Sequence, residues 1–170
     1  MIHLLNNSGK AGIVLPDGSL TGEGVKQRVR ERLLKECNLH TIIRLPNSVF
    51  QPYATVATNL LFFTKGTPTK EIWYYEHRLP EGQKAYNKTR PIQVKEFDPI
   101  KKWWDNRVES EVSWKVGLDE IEKRNYDLDI KNPNQKEKTI DYSSTQLMRM
   151  LEDSFKKSQQ LLDQLKEAVR

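Results

Sequence analysis

The sequence predicts an α/β fold followed by a helical tail. Over residues 1–90, short apolar segments with strand composition surround one amphipathic helical segment. One apolar segment contains the continuous run Leu-Leu-Phe-Phe at 60–63, which is typical of a strand covered on both faces. A heptad-like apolar repeat over 143–170 predicts a long terminal helix. We therefore expect a mixed sheet whose last strands are antiparallel, followed by a separate helix.

The chain opens with a strand and a helix. The segment "KAGIVLPDG" at 10–18 is a short apolar run closed by Pro-Asp-Gly, which predicts a strand and a turn. The following helix is expected to have Thr21 as its N-cap and to end at Asn38. Its expected buried face recurs every four residues and comprises Val25, Val29, Leu33 and Cys37, with Leu34 beside them. The opposite face is expected to carry Lys26, Arg28, Arg30 and Arg32.

Three further strands are predicted at 39–46, 57–64 and 70–78. Pro46 ends the first of them. The order strand, helix, strand predicts a crossover connection between parallel strands. The last two strands follow short links without helices, so part of the sheet is expected to be antiparallel. We expect the strand at 70–78 to pair with the strand at 57–64 through the turn at 66–69.

Beyond residue 80 the pattern becomes looser and more polar. Residues 98–107 predict a short helix with Asp98 as its cap and Pro99 at its first position. The segment from about residue 117 is expected to begin as a helical turn and continue as a polar linker. We divide the chain into a sheet domain at 1–90, an extended and helical connector at 91–142, and the terminal helix at 143–170.

The terminal helix is predicted to begin with a capping box formed by Ser143 and Gln146. Its apolar positions then step alternately by three and four residues, as in a coiled-coil seam. The seam comprises Met148, Leu151, Phe155, Ser158, Leu162, Leu165 and Val169. It either packs on its own domain or contacts a partner helix, and the narrow seam after a polar linker favours the partner.

Composition limits the class of protein. The net charge is +5, and residues 1–89 hold the excess, with 12 Lys/Arg against 7 Asp/Glu. This permits a polyanionic partner, although a solvated basic surface is the simpler interpretation. The single Cys37 excludes an internal disulfide, and no apolar run reaches the roughly 20 residues of a membrane helix. The first residues do not resemble a secretory signal, so we expect a cytoplasmic protein without a membrane segment.

Taken alone, the residues define no complete catalytic set. The three histidines are far apart and there is one cysteine, so we expect no metal site. The pair Gly22 and Gly24 follows a turn rather than a strand, and helix capping explains it more simply than phosphate binding.

Three stretches together resemble the modification (M) subunit of type I restriction-modification systems, a DNA adenine-N6 methyltransferase. They are "NNSGKAGIVLPDGSL" with "VRERLLKECNLHTIIRLPNSVFQPYATVATNLLFFTKG", then "WKVGLDEIEKRNYDLDIKNP", and the terminal heptad helix. The resemblance covers essentially the whole chain. It implies the C-terminal half of a Rossmann-like methyltransferase sheet, with the fifth, sixth and seventh strands of that sheet and the seventh antiparallel.

The family's enzymes bind S-adenosylmethionine through a glycine-rich loop and hold the target adenine through an Asn-Pro-Pro-aromatic motif. This chain shows neither motif, because Asn132-Pro133 is followed by Asn134 and lies in the tail signature. The resemblance therefore implies that S-adenosylmethionine binds elsewhere in a longer parent protein. We expect this segment to begin just after the catalytic loop and to be inactive alone.

The resemblance also implies a role for the loop after Pro46. Related enzymes flip the adenine out of the duplex and stack it on an aromatic side chain between the sixth and seventh strands. Phe50 occupies the matching place, with Tyr53 as the nearby alternative. Against this, Phe50 could simply plug the end of the sheet core.

The implied partners are DNA and the specificity and restriction subunits of the same system. Contact with the specificity subunit is expected through Met148, Leu151, Phe155, Leu162, Leu165 and Val169. An unpaired edge on the strand at 11–16, or the terminal helix, would allow the isolated segment to form a homodimer. The alternative function is a stand-alone interaction module that binds a helical partner and takes no part in catalysis.

Overall fold

The computed structural model describes residues 2–134 and 143–168, in two units. The first unit is a sheet domain and the second is a single helix. The sheet has five strands: β1 (Lys10–Pro16), β2 (Cys37–Leu45), β3 (Thr58–Lys65), β4 (Glu71–Glu76) and β5 (Ser113–Gly117). The helices are α1 (Asp17–Leu20), α2 (Val25–Glu36), α3 (Asp98–Asp105), α4 (Leu118–Lys123) and α5 (Ser144–Ala168).

The strand order in the sheet is β1-β3-β2-β4-β5. β3 lies between β1 and β2 and is antiparallel to both, so β1 and β2 run parallel to each other. The predicted mixed sheet and the strand–helix–strand crossover through α2 are therefore confirmed. The continuous apolar run in β3 reflects cover on both faces, because Leu61 and Phe63 belong to the main core while Leu60 and Phe62 pack against the smaller core on the other face.

The pairing predicted for the strand at 70–78 is wrong. β4 pairs with β2 in parallel, from Thr41 opposite Trp73 to Arg44 opposite Glu76. Both edges of β3 are already occupied by β1 and β2, so β4 adds to the free edge of β2. β5, which was not predicted as a strand, then pairs antiparallel with β4.

A bulge in β2 is stabilised by a side chain outside the sheet. The register of β2 on β3 shifts between Leu39 and Thr41, leaving His40 as the extra residue. The buried Thr69 hydroxyl accepts a hydrogen bond from the Leu39 N–H and donates one to the Cys37 carbonyl, both at 2.8 Å. Thr69 thus satisfies the backbone of β2 before its pairing with β4 begins.

The ends of α2 differ from the prediction. Gly24, not Thr21, is its N-cap, and its φ of 71° lies in the left-handed region that favours glycine. At the other end β2 begins directly at Cys37, so Asn38 lies within a strand rather than closing the helix.

The buried face of α2 is also rotated from the predicted one. Val25 and Val29 are 67% and 58% exposed, whereas Arg30, predicted on the solvent face, is buried together with the correctly predicted Leu34. The Arg30 guanidinium donates to four carbonyl groups, which compensates the cost of burying its charge. The acceptors belong to Ser19, Thr21, Gly22 and Tyr126.

The segment after β5 joins the main hydrophobic core. Leu128 and Ile130, predicted to lie in a polar linker, are buried against the sheet. Trp114 of β5 stacks on Tyr74 of β4 with ring centroids 5.3 Å apart, and the Tyr74 hydroxyl donates to the Leu128 carbonyl at 3.1 Å. The sheet domain therefore continues well beyond residue 90 in space.

A smaller core is covered by α3. The helix predicted at 98–107 is present as Asp98–Asp105, with Pro99 in its first turn. Asp98 is its first helical residue, and the N-cap position belongs to Phe97. Trp103 is buried and contacts Tyr75 with ring centroids 5.0 Å apart.

The long terminal helix is confirmed as α5. Its capping box is present, since the Ser143 N–H donates to Gln146 Oε1 at 2.9 Å and the Gln146 N–H donates to Ser143 Oγ at 3.3 Å. No helix within the described part of the chain is long and apolar enough to cross a membrane.

Candidate functional site

The candidate site lies where three parallel strands end. β1, β2 and β4 run in the same direction. Their carboxyl ends, at Pro16, Leu45 and Glu76, lie at the same end of the sheet, and we call this end the carboxyl edge. In open α/β sheets, ligands bind outside the carboxyl ends of the strands. The connection from β2 to β3, with its two aromatic residues, leaves from this edge.

Phe50 and Tyr53 both lie in this connection and belong to a run of turns. The Phe50 carbonyl accepts hydrogen bonds from the N–H groups of Tyr53 at 2.9 Å and Ala54 at 3.0 Å. Phe50 is 43% exposed and Tyr53 is 89% exposed, and neither belongs to a hydrophobic core cluster. Both residues are thus accessible to solvent, and Phe50 is the less exposed of the two.

A polar network lies beneath this connection. Asn59, fully buried in β3, is opposite Leu15 in β1 and Arg44 in β2. Its Nδ2 donates to Asp17 Oδ1 at 2.6 Å, which ties the first residue after β1 to β3. Asn59 Oδ1 is buried without a hydrogen-bond partner among the described residues.

Arg44 links the same network to the segment after α4. Its Nη2 lies 2.5 Å from Asp129 Oδ1 and 3.9 Å from Asp17 Oδ2, and its Nη1 donates to the Ile130 carbonyl at 2.9 Å. Both terminal nitrogens of the Arg44 guanidinium therefore already have protein partners, so Arg44 stabilises this edge rather than being available to bind a ligand.

A cleft of about 500 Å³ opens beside the network, between the ends of β2 and β4. It is lined in part by Pro46, Arg78, Trp114 and Lys131. Arg78 lies within 4 Å of two carboxylates, whereas Lys131 is ion-paired with no described residue. Among the residues that the structure describes, the cleft therefore offers Lys131 as a cation without an ion-pair partner near the start of the Phe50 connection.

Two basic residues near strand ends are placed far from this edge. Lys10 begins β1 and Lys65 ends β3, and the two lie close together at the opposite edge because Lys10 is opposite Thr64. The Lys65 ammonium donates to the carbonyls of Ile2 and Leu5, at 3.0 and 2.9 Å. Lys65 therefore fixes the start of the chain.

The tail residues predicted to contact a partner form an exposed stripe on α5. Exposed members of the predicted set are Met148, Leu151, Phe155, Leu162 and Leu165. Val169 lies outside the described residues. Leu147, Met150 and Leu161 are exposed as well, so the apolar surface is wider than the heptad spacing alone indicated.

Several polar residues of this edge were not found from the sequence. They form a cluster that lies against the turn that carries Phe50 and comprises the buried Ser48, His77 and Tyr86 and the partly buried Glu96. They are separated by up to 48 positions, so no local spacing reveals them. Burial lowers the pKa of His77 below its ordinary value of 6.5.

The described residues contain no group of three His, Cys, Asp or Glu side chains arranged to hold a metal ion. Gly22 and Gly24 lie between α1 and α2, and Gly24 caps α2. The predicted helix-capping role is therefore confirmed for Gly24.

Comparison with known proteins identifies the class. The family profile for N-6 DNA methylase matches residues 1–142. The chain belongs to the N-6 DNA methylase family, and the resemblance found in its sequence is confirmed. The Escherichia coli type I restriction enzyme EcoEI methylase subunit is 48% identical over 176 residues, covering 99% of this chain and 36% of that subunit. The EcoKI methylase subunit of E. coli K12 is 33% identical over 111 residues, covering 60% of this chain and 20% of that subunit.

Solved structures agree. A modification subunit of a putative type I restriction enzyme from Vibrio vulnificus YJ016 matches with a TM-score of 0.71 at 45% identity, covering 78% of this chain and 29% of that one. A chain from a structural study of the assembly and conformational transition of the type I R-M system matches with a TM-score of 0.73 at 35% identity, covering 96% of this chain and 36% of that one. The chain spans about a third of the length of these relatives. The matches give no support to a stand-alone interaction module.

Proposed function

We propose that this chain is the target-base and subunit-contact portion of a type I restriction-modification DNA methyltransferase subunit. The parent reaction transfers a methyl group from S-adenosylmethionine to N6 of adenine. The observation that carries the proposal is the exposed Phe50 in the β2–β3 connection, at the carboxyl edge of a sheet that belongs to the N-6 DNA methylase family.

The physical need for such an aromatic residue is clear. An adenine inside a duplex cannot be reached for methyl transfer, so it must leave the base stack. A flipped base loses its stacking partners, and an aromatic side chain restores about 1–3 kcal/mol per base. Phe50 has a half-exposed ring on a turn fixed by backbone hydrogen bonds, so its ring can act with little further ordering. Tyr53 is more exposed and is the second choice.

S-adenosylmethionine supplies the methyl group in the parent protein, and we assign none of its contacts to this segment. The residues here bind and orient the base. We propose that the 170 residues alone do not methylate DNA, and detectable methyl transfer by the isolated chain would contradict this.

The experiment that tests the base-stacking role uses the full-length methyltransferase assembled with its specificity subunit. Phe50→Ala is expected to lower the rate of adenine methylation roughly 5- to 150-fold, which corresponds to a loss of about 1–3 kcal/mol. Phe50→Trp retains a stacking ring and is expected to retain most activity. Val56→Ala, an exposed apolar residue of the same connection, is the matched control. Equal rates for Phe50→Ala and Val56→Ala would refute the proposal.

We further propose that α5 contacts the specificity subunit through its exposed apolar stripe. Eight large apolar side chains are exposed along one helix, which favours a protein partner over solvent. DNA and the restriction subunit are the other proposed partners of the assembled enzyme. The open edge of β1 is a second surface through which the isolated chain would form a homodimer.

Size exclusion with light scattering tests the α5 contact. Leu162→Asp with Leu165→Asp is expected to abolish a stable complex with the specificity subunit, because two charges would be buried at the contact. Gln160→Asp with Gln164→Asp adds the same charge to the same helix at positions outside the predicted seam, and is expected to leave the complex intact. Loss of the complex in both variants would point to general charge repulsion instead.

A further inference from the structure

The chain after β4 folds back over the turn that carries Phe50. His77 directly follows β4, and its N–H donates to the Arg44 carbonyl at 2.9 Å, which holds it beside the end of β2. Its ring lies parallel to the ring of Phe97, with centroids 5.4 Å apart. His77 and Tyr86 are both buried, although they belong to a connection that is mostly exposed.

Three side chains in this connection form a continuous hydrogen-bonded chain. The Tyr86 hydroxyl donates to Glu96 Oε2 at 2.5 Å. His77 Nε2 lies 2.9 Å from the same hydroxyl oxygen. A hydroxyl has one proton to donate, so His77 must be the donor in the second bond and carries its proton on Nε2. Glu96 is itself fixed, because its Oε1 accepts a hydrogen bond from the Gln93 N–H at 2.8 Å.

A hydrogen bond between Tyr86 and Ser48 joins this series of side chains to the Phe50 turn. The Tyr86 N–H donates to Ser48 Oγ at 2.9 Å, and Ser48 is buried. The Ser48 carbonyl accepts the Gln51 N–H at 3.1 Å, and the Phe50 carbonyl accepts the Tyr53 N–H. Ser48 therefore bonds through its carbonyl to Gln51, on the far side of Phe50, and through its hydroxyl to Tyr86, which lies outside the turn.

We propose that His77, Tyr86 and Glu96 are positioning residues that hold the turn at 47–53, and with it the Phe50 ring, in the geometry that stacks on the flipped base. The inference rests on the proposed role of Phe50. A turn on the surface would otherwise sample many conformations, and the ring would have to be ordered during each catalytic cycle. The hydrogen-bonded group of the buried His77 and Tyr86 and the partly buried Glu96 removes that requirement, because its side chains are paired with one another in one arrangement.

The test compares Tyr86→Phe with Tyr75→Phe in the full-length methyltransferase bound to its specificity subunit. Tyr86→Phe keeps the buried ring but removes the bonds to His77 and Glu96. Tyr75→Phe removes a hydroxyl that is hydrogen-bonded to no described residue, and is the matched control. Hydrogen exchange in the peptide 46–57 is expected to rise in Tyr86→Phe and not in Tyr75→Phe, with exchange in β2 unchanged in both. If exchange in the peptide 46–57 is unchanged in Tyr86→Phe, the inference is overturned, whether or not Phe50 stacks on the base.

Methylation kinetics give the second measurement. Tyr86→Phe is expected to lower kcat roughly tenfold and to leave DNA affinity unchanged, because the effect is on ring placement. In a double variant with Phe50→Ala, Tyr86→Phe is expected to add no further loss. Losses that multiply would overturn the inference, since Tyr86 would then act elsewhere. Full activity of Phe50→Ala would refute the proposed function, while the exchange result would still decide whether the turn is held by Tyr86.

Ser48→Ala provides an independent variant if Tyr86→Phe does not fold. It removes the oxygen that accepts the Tyr86 N–H and leaves the His77–Tyr86–Glu96 chain intact. The same rise in exchange over 46–57 is expected, and its absence would contradict the inference.

Discussion

Replacing Thr69 with valine would remove one buried hydroxyl and almost no volume. That hydroxyl bridges two backbone groups of β2 beside the bulge at His40, the Leu39 N–H and the Cys37 carbonyl, both at 2.8 Å. Valine cannot accept or donate, so both groups would be left buried and unpaired.

The structure allows the size of the effect to be worked out. An unsatisfied buried backbone group costs about 1–3 kcal/mol. Two such groups give about 2–6 kcal/mol, reduced to the lower part of that range if one of them gains a water molecule. This is a large share of a typical free energy of unfolding of about 5–15 kcal/mol.

Urea unfolding of the chain, followed by circular dichroism, measures the change as a shift in midpoint multiplied by the slope m. Thr58→Val is the matched control, because the Thr58 hydroxyl is also buried but has no hydrogen-bond partner among the described residues. It is expected to be neutral or slightly stabilising. Equal midpoints for Thr69→Val and Thr58→Val would refute the role of Thr69 at the bulge.

Three further outcomes are expected. Arg30→Met should lower the free energy of unfolding by about 3 kcal/mol in thermal or urea unfolding, because it removes several partly buried hydrogen bonds to carbonyl groups. Arg28→Met, at an exposed position of the same helix, should change it little. Burial lowers the pKa of both His40 and His77. At a pH below the ordinary histidine value, the unfolded chain therefore binds more protons at these two residues than the folded chain does. Stability should therefore be constant above about pH 6.5 and fall as the pH decreases below it, in urea midpoints measured from pH 5 to 8. Burial raises the pKa of the Cys37 thiol, so alkylation at pH 7.5 should require unfolding.

Local patterns predicted the parts of the fold that depend on neighbours in sequence. The continuous apolar run of β3 correctly indicated a strand covered on both faces, and the spacing of Ser143 and Gln146 correctly indicated a capping box. The position of Phe50 between two strands also followed from the sequence, because strand ends are marked by Pro46 and by the following polar segment.

The errors have one physical cause, which is contact between distant segments. Arg30 is buried on α2 because Tyr126, 96 positions away, supplies one of its acceptors. β5 is too short and too mixed in polarity to be seen until β4 offers it an edge. Ser48 and Tyr86 are 38 positions apart, and nothing in either local sequence indicates that they meet.

The position of β3 also sets the order in which this domain can be built. β1 and β2 share no ladder, and each reaches the other only through β3, which follows both along the chain. During synthesis from the N-terminus, neither strand has an antiparallel partner until Thr58–Lys65 has been made. The carboxyl edge that carries the candidate site therefore cannot be assembled until β3 has been made. A nascent chain stalled before residue 58 would carry β1 and β2 without the strand that joins them in this sheet, and their unpaired edges toward β3 would be a target for chaperones.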